Sequence, residues 1–223
     1  MCGRYSLFMN LNKLEERFGE ATFEAEDYEP SYNIAPSQYI LTVINDGSKN
    51  RLGYLKWGLV PPWAKDSKIG FKMINARSET VHEKPSFRES LKKKRCLVVA
   101  DSFFEWKKTD RDKVPMLVKL KSEEPFAMAG LWETWKSSTG EAIHTCTVLT
   151  TEPNELMASI HDRMPVILKP EDEHTWLDPS IQDIKVLQHL LRPFEDNRLE
   201  AYEVSSMVNS PKNNSPALVQ RVG

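Results

Sequence analysis

The chain has 223 residues, 40% of them hydrophobic and 28% charged, with a formal net charge of −2. That length and apolar content suit one large domain with a full core over residues 1–223, and the near-neutral charge excludes coating of nucleic acid by bulk positive charge while leaving a local basic groove open. No apolar run could span a bilayer and no basic segment leads into an apolar one at the start, so no membrane partner and a cytoplasmic location are expected.

Taken in chain order, residues 10–18 place Leu11, Leu14 and Phe18 on one helical face, and Gly19 offers a C-cap. Residues 38–44 and 51–57, separated by Asn45-Asp46-Gly47, read as a hairpin. Ser86-Phe87-Arg88-Glu89 is a capping box, predicting a helix through Leu91 and Lys94. Apolar runs at 96–100, 116–120, 126–131 and 143–150 predict strands. Pro153 suits the first turn of a helix through Leu156 and Ile160, and residues 166–168 suit a further strand. Residues 181–191 predict a late helix with Ile184, Leu187 and Leu191 in phase. Strands outnumber helices and several gaps are hairpin-sized, so the expected class is α+β with a mainly antiparallel sheet.

Three cysteines (Cys2, Cys96, Cys146) with no CxxC pair exclude a disulfide framework and a structural zinc site, so no metal or cofactor is expected. Cys96 and Cys146 sit in strand-like apolar runs. Cys2 follows the initiating methionine, which is usually trimmed before a small side chain. Trimming leaves an α-amine and a thiol on adjacent carbons. Such an amine has a pKa of about 7.7–8.0 against about 10.4 for lysine, so near neutral pH far more of it than of a lysine is the nucleophilic free base. It condenses with an aldehyde to an imine, on which the thiol can close a thiazolidine ring. Read by itself, Cys2 is better taken as an unprocessed or frayed terminus, and the rest of the chain has to decide.

The remaining chemistry lies where periodicity is poor. Trp57-Gly58-Leu59-Val60-Pro61-Pro62-Trp63, with Lys65, Lys68 and Lys72 after it, reads as a stacking surface beside a phosphate track or as a Pro-braced loop with solvated lysines. In Asn75-Ala76-Arg77-Ser78-Glu79, Asn75 could orient a reacting group or make a turn, and Arg77 could clamp a phosphate or form a surface ion pair. Glu105, between Phe104 and Trp106, reads as a desolvated acid or as a strand residue facing water. In Ile160-His161-Asp162-Arg163, His161 is a proton shuttle or a capping residue, and Arg163 a phosphate ligand or a solvated charge.

Six blocks then occur in order: Cys2-Gly3-Arg4, Ser31-Tyr32-Asn33-Ile34-Ala35-Pro36, the Trp57–Trp63 segment, Asn75-Ala76-Arg77-Ser78-Glu79, Phe104-Glu105-Trp106 and His161-Asp162-Arg163-Met164-Pro165. Each is weak alone, but together they closely resemble the SRAP (SOS response-associated peptidase) family of abasic-site processing proteins, over nearly the whole chain. The resemblance implies a bifurcated, partly barrel-like sheet surrounded by helices. It also implies covalent capture of abasic sites in single-stranded DNA, as at stalled replication forks, by a protein expected to be monomeric. By that likeness Cys2, Asn75, Glu105 and His161 are the catalytic set. Arg4, Arg77 and Arg163 would hold phosphates, and Pro36, Trp57 and Trp63 would stack bases. An imine intermediate would also permit strand cleavage by β-elimination. Two rival classes use the same residues. An N-terminal-nucleophile hydrolase or self-processing peptidase would turn Cys2 on an amide, which needs the thiol and an oxyanion hole but no amine. A non-catalytic single-strand binder would tolerate loss of Cys2.

Overall fold

The computed structural model describes residues 2–18, 22–23 and 28–223. Its first half carries β1 (Tyr5–Leu7), α1 (Leu11–Phe18), β2 (Thr22–Phe23), β3 (Ser31–Ile34), β4 (Tyr39–Asn45), β5 (Asn50–Trp57), β6 (Asn75–Arg77) and α2 (Arg88–Lys93). Four long strands follow: β7 (Arg95–Ala100), β8 (Ser102–Lys108), β9 (Lys113–Leu120) and β10 (Phe126–Lys136). The rest comprises β11 (Ala142–Thr151), α3 (Glu155–Ala158), β12 (Met164–Pro165), β13 (Ile167–Leu168), α4 (Pro170–Leu177), α5 (Ile184–Leu190) and β14 (Leu199–Glu203).

The larger sheet runs β12-β11-β10-β7-β4-β5-β2. It closes on itself because β11 also pairs with β5, in parallel, at Thr145↔Lys56 and Cys146↔Trp57. The ring β5-β4-β7-β10-β11 is therefore a small five-stranded barrel, which removes the sheet edges that would otherwise be open to pairing. A second sheet, β14-β9-β8-β1-β3, stands beside it. This is the mixed, mainly antiparallel architecture with few helices that the sequence implied. One apolar cluster runs through both sheets, from Tyr5 and Phe103 to Leu97, Val148 and Trp176. A smaller one, Phe104, Leu117, Val204, Val208 and Leu218, covers the outer face of the second sheet.

Strand β8 lies between these two clusters. Phe103 points into the first and Phe104 into the second, so residues 102–105 are all buried and show no polar/apolar alternation. Three helical expectations shift. Ser86 does not cap α2; its N-cap is Phe87, and the amides of Phe87 and Arg88 bond instead to the Lys84 carbonyl of the preceding turn. The helix expected from Pro153 is a single turn capped by Asn154, whose side chain accepts from the Met157 amide, and it ends before the chain re-enters a strand at Met164. The late helix starts three residues further on, at Ile184, behind an Asp183 cap. The expected Gly19 cap lies outside the described residues.

Candidate active site

Cys2 precedes β1, and β1 is laid along β8 by Tyr5↔Phe103 and Ser6↔Ser102, with the Phe104 amide donating to the Arg4 carbonyl at 2.9 Å. That ladder brings the start of the chain beside Glu105. Cys2 has no exposed surface. Burial pushes its thiol well above the ordinary range, and the nearby Glu105 charge adds to the effect. The resting group is therefore a thiol, and it needs a base before it can attack. Glu105 shares the inward face with Phe103, two residues away, and is 2% exposed. Its carboxyl is raised by burial, partly offset by the charge of His161.

Asn75 arrives from the barrel. Strand β6 pairs in parallel with the end of β11 (Val148↔Asn75, Leu149↔Ala76, Thr150↔Arg77), and Ala76 is buried in the core. Period-two alternation then sends Asn75 and Arg77 to the opposite side together. The Asn75 side-chain amide donates to the Cys2 carbonyl at 2.9 Å, tying the two sheets together at the N-terminus. Its Oδ1 is buried without a partner. This strand is held by Trp57, whose indole N–H donates to the Ile74 carbonyl at 2.8 Å.

His161 follows the α3 turn, where its amide bonds to the Met157 carbonyl at 2.8 Å. Its Nε2 lies 3.9 Å from Glu105 Oε2. Two groups approach Nδ1: the Arg163 amide at 3.1 Å and the Asp162 carboxylate at 2.9 Å. They ask for opposite protonation of that nitrogen. The amide is fixed by the backbone and can only donate, whereas the Asp162 carboxylate is 86% exposed and free to turn into water. We weight the amide, which leaves the proton of a neutral ring on Nε2, facing Glu105. At 27% exposure His161 forms the solvent side of the cluster.

The other sequence candidates divide. Arg77 is exposed at the end of β6, beside the cluster. Arg163 is 13% exposed and forks onto Glu79 at 2.7 and 2.9 Å while its Nη2 also donates to the Thr150 carbonyl at 2.6 Å. Arg4 is turned inward: its Nη1 donates to Asn33 Oδ1 at 2.8 Å and to the Val208 carbonyl at 2.6 Å, with the guanidinium over Trp106. It ties the N-terminus to the C-terminal segment, which leaves little of it for a phosphate. Trp57 is a correction. At 1% exposure, edge-on to Tyr5, it is a core pillar with no face for a base. Trp63 is 60% exposed on a loop pinned by the Trp135 indole bond to the Ala64 carbonyl, and Pro36 is half-buried in the β3–β4 turn. Among the described residues no group of three or more His, Cys, Asp or Glu could hold a metal ion. No helix among them is long and apolar enough to cross a membrane.

Sequence reasoning gave no role to Glu79, which stands between the two arginines, or to Asn33, which receives Arg4. The three-residue strand beginning at Asn75 is the signal that could have placed Glu79 near Arg77, but its pairing with β11 is a long-range event.

Comparison with known proteins gives the chain its relatives. The family model described as SOS response associated peptidase (SRAP) matches residues 1–211. The chain is 59% identical over 222 residues to the abasic site processing protein YoqW of Bacillus subtilis, covering 99% of each. It is 34% identical to the abasic site processing protein HMCES of Xenopus tropicalis, over 86% of this chain and 66% of that one. A crystal structure of a protein from Bacteroides thetaiotaomicron superposes with a TM-score of 0.89 at 30% identity, covering 99% of this chain and 100% of the other. With the Cys2, Asn75, Glu105 and His161 cluster assembled on that fold, the chain belongs to the SOS response associated peptidase (SRAP) family.

Proposed function

We propose that this protein processes abasic sites in single-stranded DNA by joining Cys2 covalently to the ring-opened sugar. The observation that carries the reading is the environment of Cys2. A buried thiol, an amide on its own carbonyl and a desolvated carboxyl meet at the point where removal of Met1 would free an α-amine.

The chemistry follows from those groups. The amine attacks the sugar aldehyde to give a carbinolamine, and loss of water leaves an imine. Glu105, its carboxyl raised by burial, donates the proton that departs with the hydroxyl. Its carboxylate then takes the proton from the Cys2 thiol. Sulfur bonds to the imine carbon, nitrogen receives a proton, and the product is a thiazolidine with one water lost overall. Asn75 holds the Cys2 carbonyl, and its unpartnered Oδ1 is an acceptor for the amine or a sugar hydroxyl. His161, at the solvent side, moves protons at the sugar and in reversal or β-elimination. Arg77 and Arg163 lie where flanking phosphates would pass, and exposed Trp63 offers a stacking face. The relatives named as abasic site processing proteins support the same substrate.

The test is a denaturing gel of protein incubated with abasic single-stranded oligonucleotide. Wild-type protein should give a heat-stable shifted band. Cys2→Ala, which keeps an amine but has no thiol, should give only a band that requires borohydride reduction to survive. An unreduced, stable band of wild-type intensity from Cys2→Ala would rule out the thiazolidine.

A further inference from the structure

Arg163 is held from two sides that differ in kind. Its Nη2 donates to the Thr150 carbonyl, a backbone group fixed at the end of β11, at 2.6 Å. Nη2 also reaches the Thr150 hydroxyl at 3.4 Å, and the other side is Glu79, whose two carboxylate oxygens accept from Nη1 at 2.7 Å and Nη2 at 2.9 Å. Glu79 is 46% exposed and sits on a turn closed by the Thr80 amide and the Arg77 carbonyl. Burial works to raise its carboxyl, but the hydrogen bonds and charge of Arg163, with the charge of Arg77, outweigh it and hold it low. No hydrogen bond or ion pair to a described residue engages the Arg77 guanidinium itself. One solvated carboxylate thus lies within the field of both arginines on the outer side of the active site, in the bidentate geometry a phosphate takes.

We propose that Glu79 is a displaceable counter-anion, occupying the place on Arg163 that a lesion-flanking phosphate takes, so that strand entry exchanges a carboxylate for a phosphate. The inference rests on the single-strand reading above. A bracing role is the competing explanation. Against it, Thr150 keeps the guanidinium in place after Glu79 leaves, and the half-exposed carboxylate loses little by turning into water. Glu79 would make non-covalent binding weaker and more reversible, leaving residence on DNA to depend on the covalent step.

The test is fluorescence anisotropy with an undamaged single-stranded oligonucleotide across a salt series, comparing wild type, Glu79→Gln and Glu79→Ala, with thermal melts to verify folding. Both variants should bind roughly two- to fivefold more tightly, since they remove one surface-type ion pair from the competition. The slope of log affinity against log salt should stay close to that of wild type, because the same phosphate is neutralised in the bound state of all three proteins. Unchanged or weaker binding by folded variants, against normal wild-type binding, would overturn the counter-anion role and make Glu79 a brace. Absence of single-strand binding by wild type and both variants would sink the functional reading itself.

Discussion

In the proposed reaction Glu105 carries two demands that pull in opposite directions, and the fold answers both by burying it. A carboxyl that must give and then take a proton near neutral pH needs a pKa raised toward that range, and desolvation provides the rise. The same burial disfavours the charged form, so it costs stability. With the folded pKa above the unfolded one, the neutral carboxyl is favoured at low pH. That contribution is full below the unfolded value of about 4.3 and is lost as pH rises through the folded value. Glu105→Gln should therefore melt higher than wild type at pH 7 to 8, with the gap closing toward pH 4. The same variant should form adduct about a hundredfold more slowly, within the range general acid–base groups contribute. Equal melting curves at both pH values, with wild-type adduct rates, would mean that this carboxyl is ionised and idle.

At the scale of elements, the site depends on the loop that carries the chain from β5 to β6. Gly58 has φ +126°, and a Cβ there would lie 2.7 Å from the Gly70 carbonyl oxygen. The two backbones touch, closing the 58–72 loop so that Ile74 meets the Trp57 indole and Asn75 meets Cys2. Gly58→Ala should cost about 2 kcal/mol of stability from strain and the forced separation, and slow adduct formation beyond what that loss explains. Chemical denaturation and single-turnover rates at low temperature separate the two effects. Much of this element level was legible in advance. The β4–β5 hairpin matched its Asn-Asp-Gly turn, in which Asp46 accepts from the Ser48 and Lys49 amides, and the apolar runs at 96–100, 116–120, 126–131 and 143–150 all lie in strands. What stayed hidden was pairing between distant segments. Trp57 read as a stacking residue because its loop looks exposed in sequence, yet strand β5 runs through it to the barrel wall. Helix α4 is missing from the predicted elements although it has a local signal, Pro170 followed by Glu171, Asp172 and Glu173 in the first turn. The four catalytic candidates were all named, but nothing local in the chain says that Asn75 reaches the Cys2 carbonyl.

For the molecule as a whole, the barrel and the second sheet are joined along the path of residues 2–8, and the candidate site occupies that junction. Residues from β6, the middle of β8 and the turn after α3 converge there, β6 being placed by β11, which pairs with β5, β6, β10 and β12 at once. With a net charge of −2, long-range attraction to DNA is weak and affinity must come from a few cations at this junction. The dependence on salt should accordingly be shallow, at about −0.7 per phosphate neutralised, and Arg77→Ala should reduce the slope by about that amount for every sequence tested. A slope and affinity unchanged in Arg77→Ala would place the nucleic-acid path elsewhere on the surface. The central claim, that Cys2 becomes an N-terminal amine and thiol that captures an abasic sugar, is tested most directly by intact-mass measurement. Protein mixed with abasic single-stranded oligonucleotide should give one new species, with the mass of the Met1-trimmed chain plus the oligonucleotide less one water. The account is contradicted if no such species forms from trimmed protein, or if protein with Met1 retained forms an adduct at the same rate.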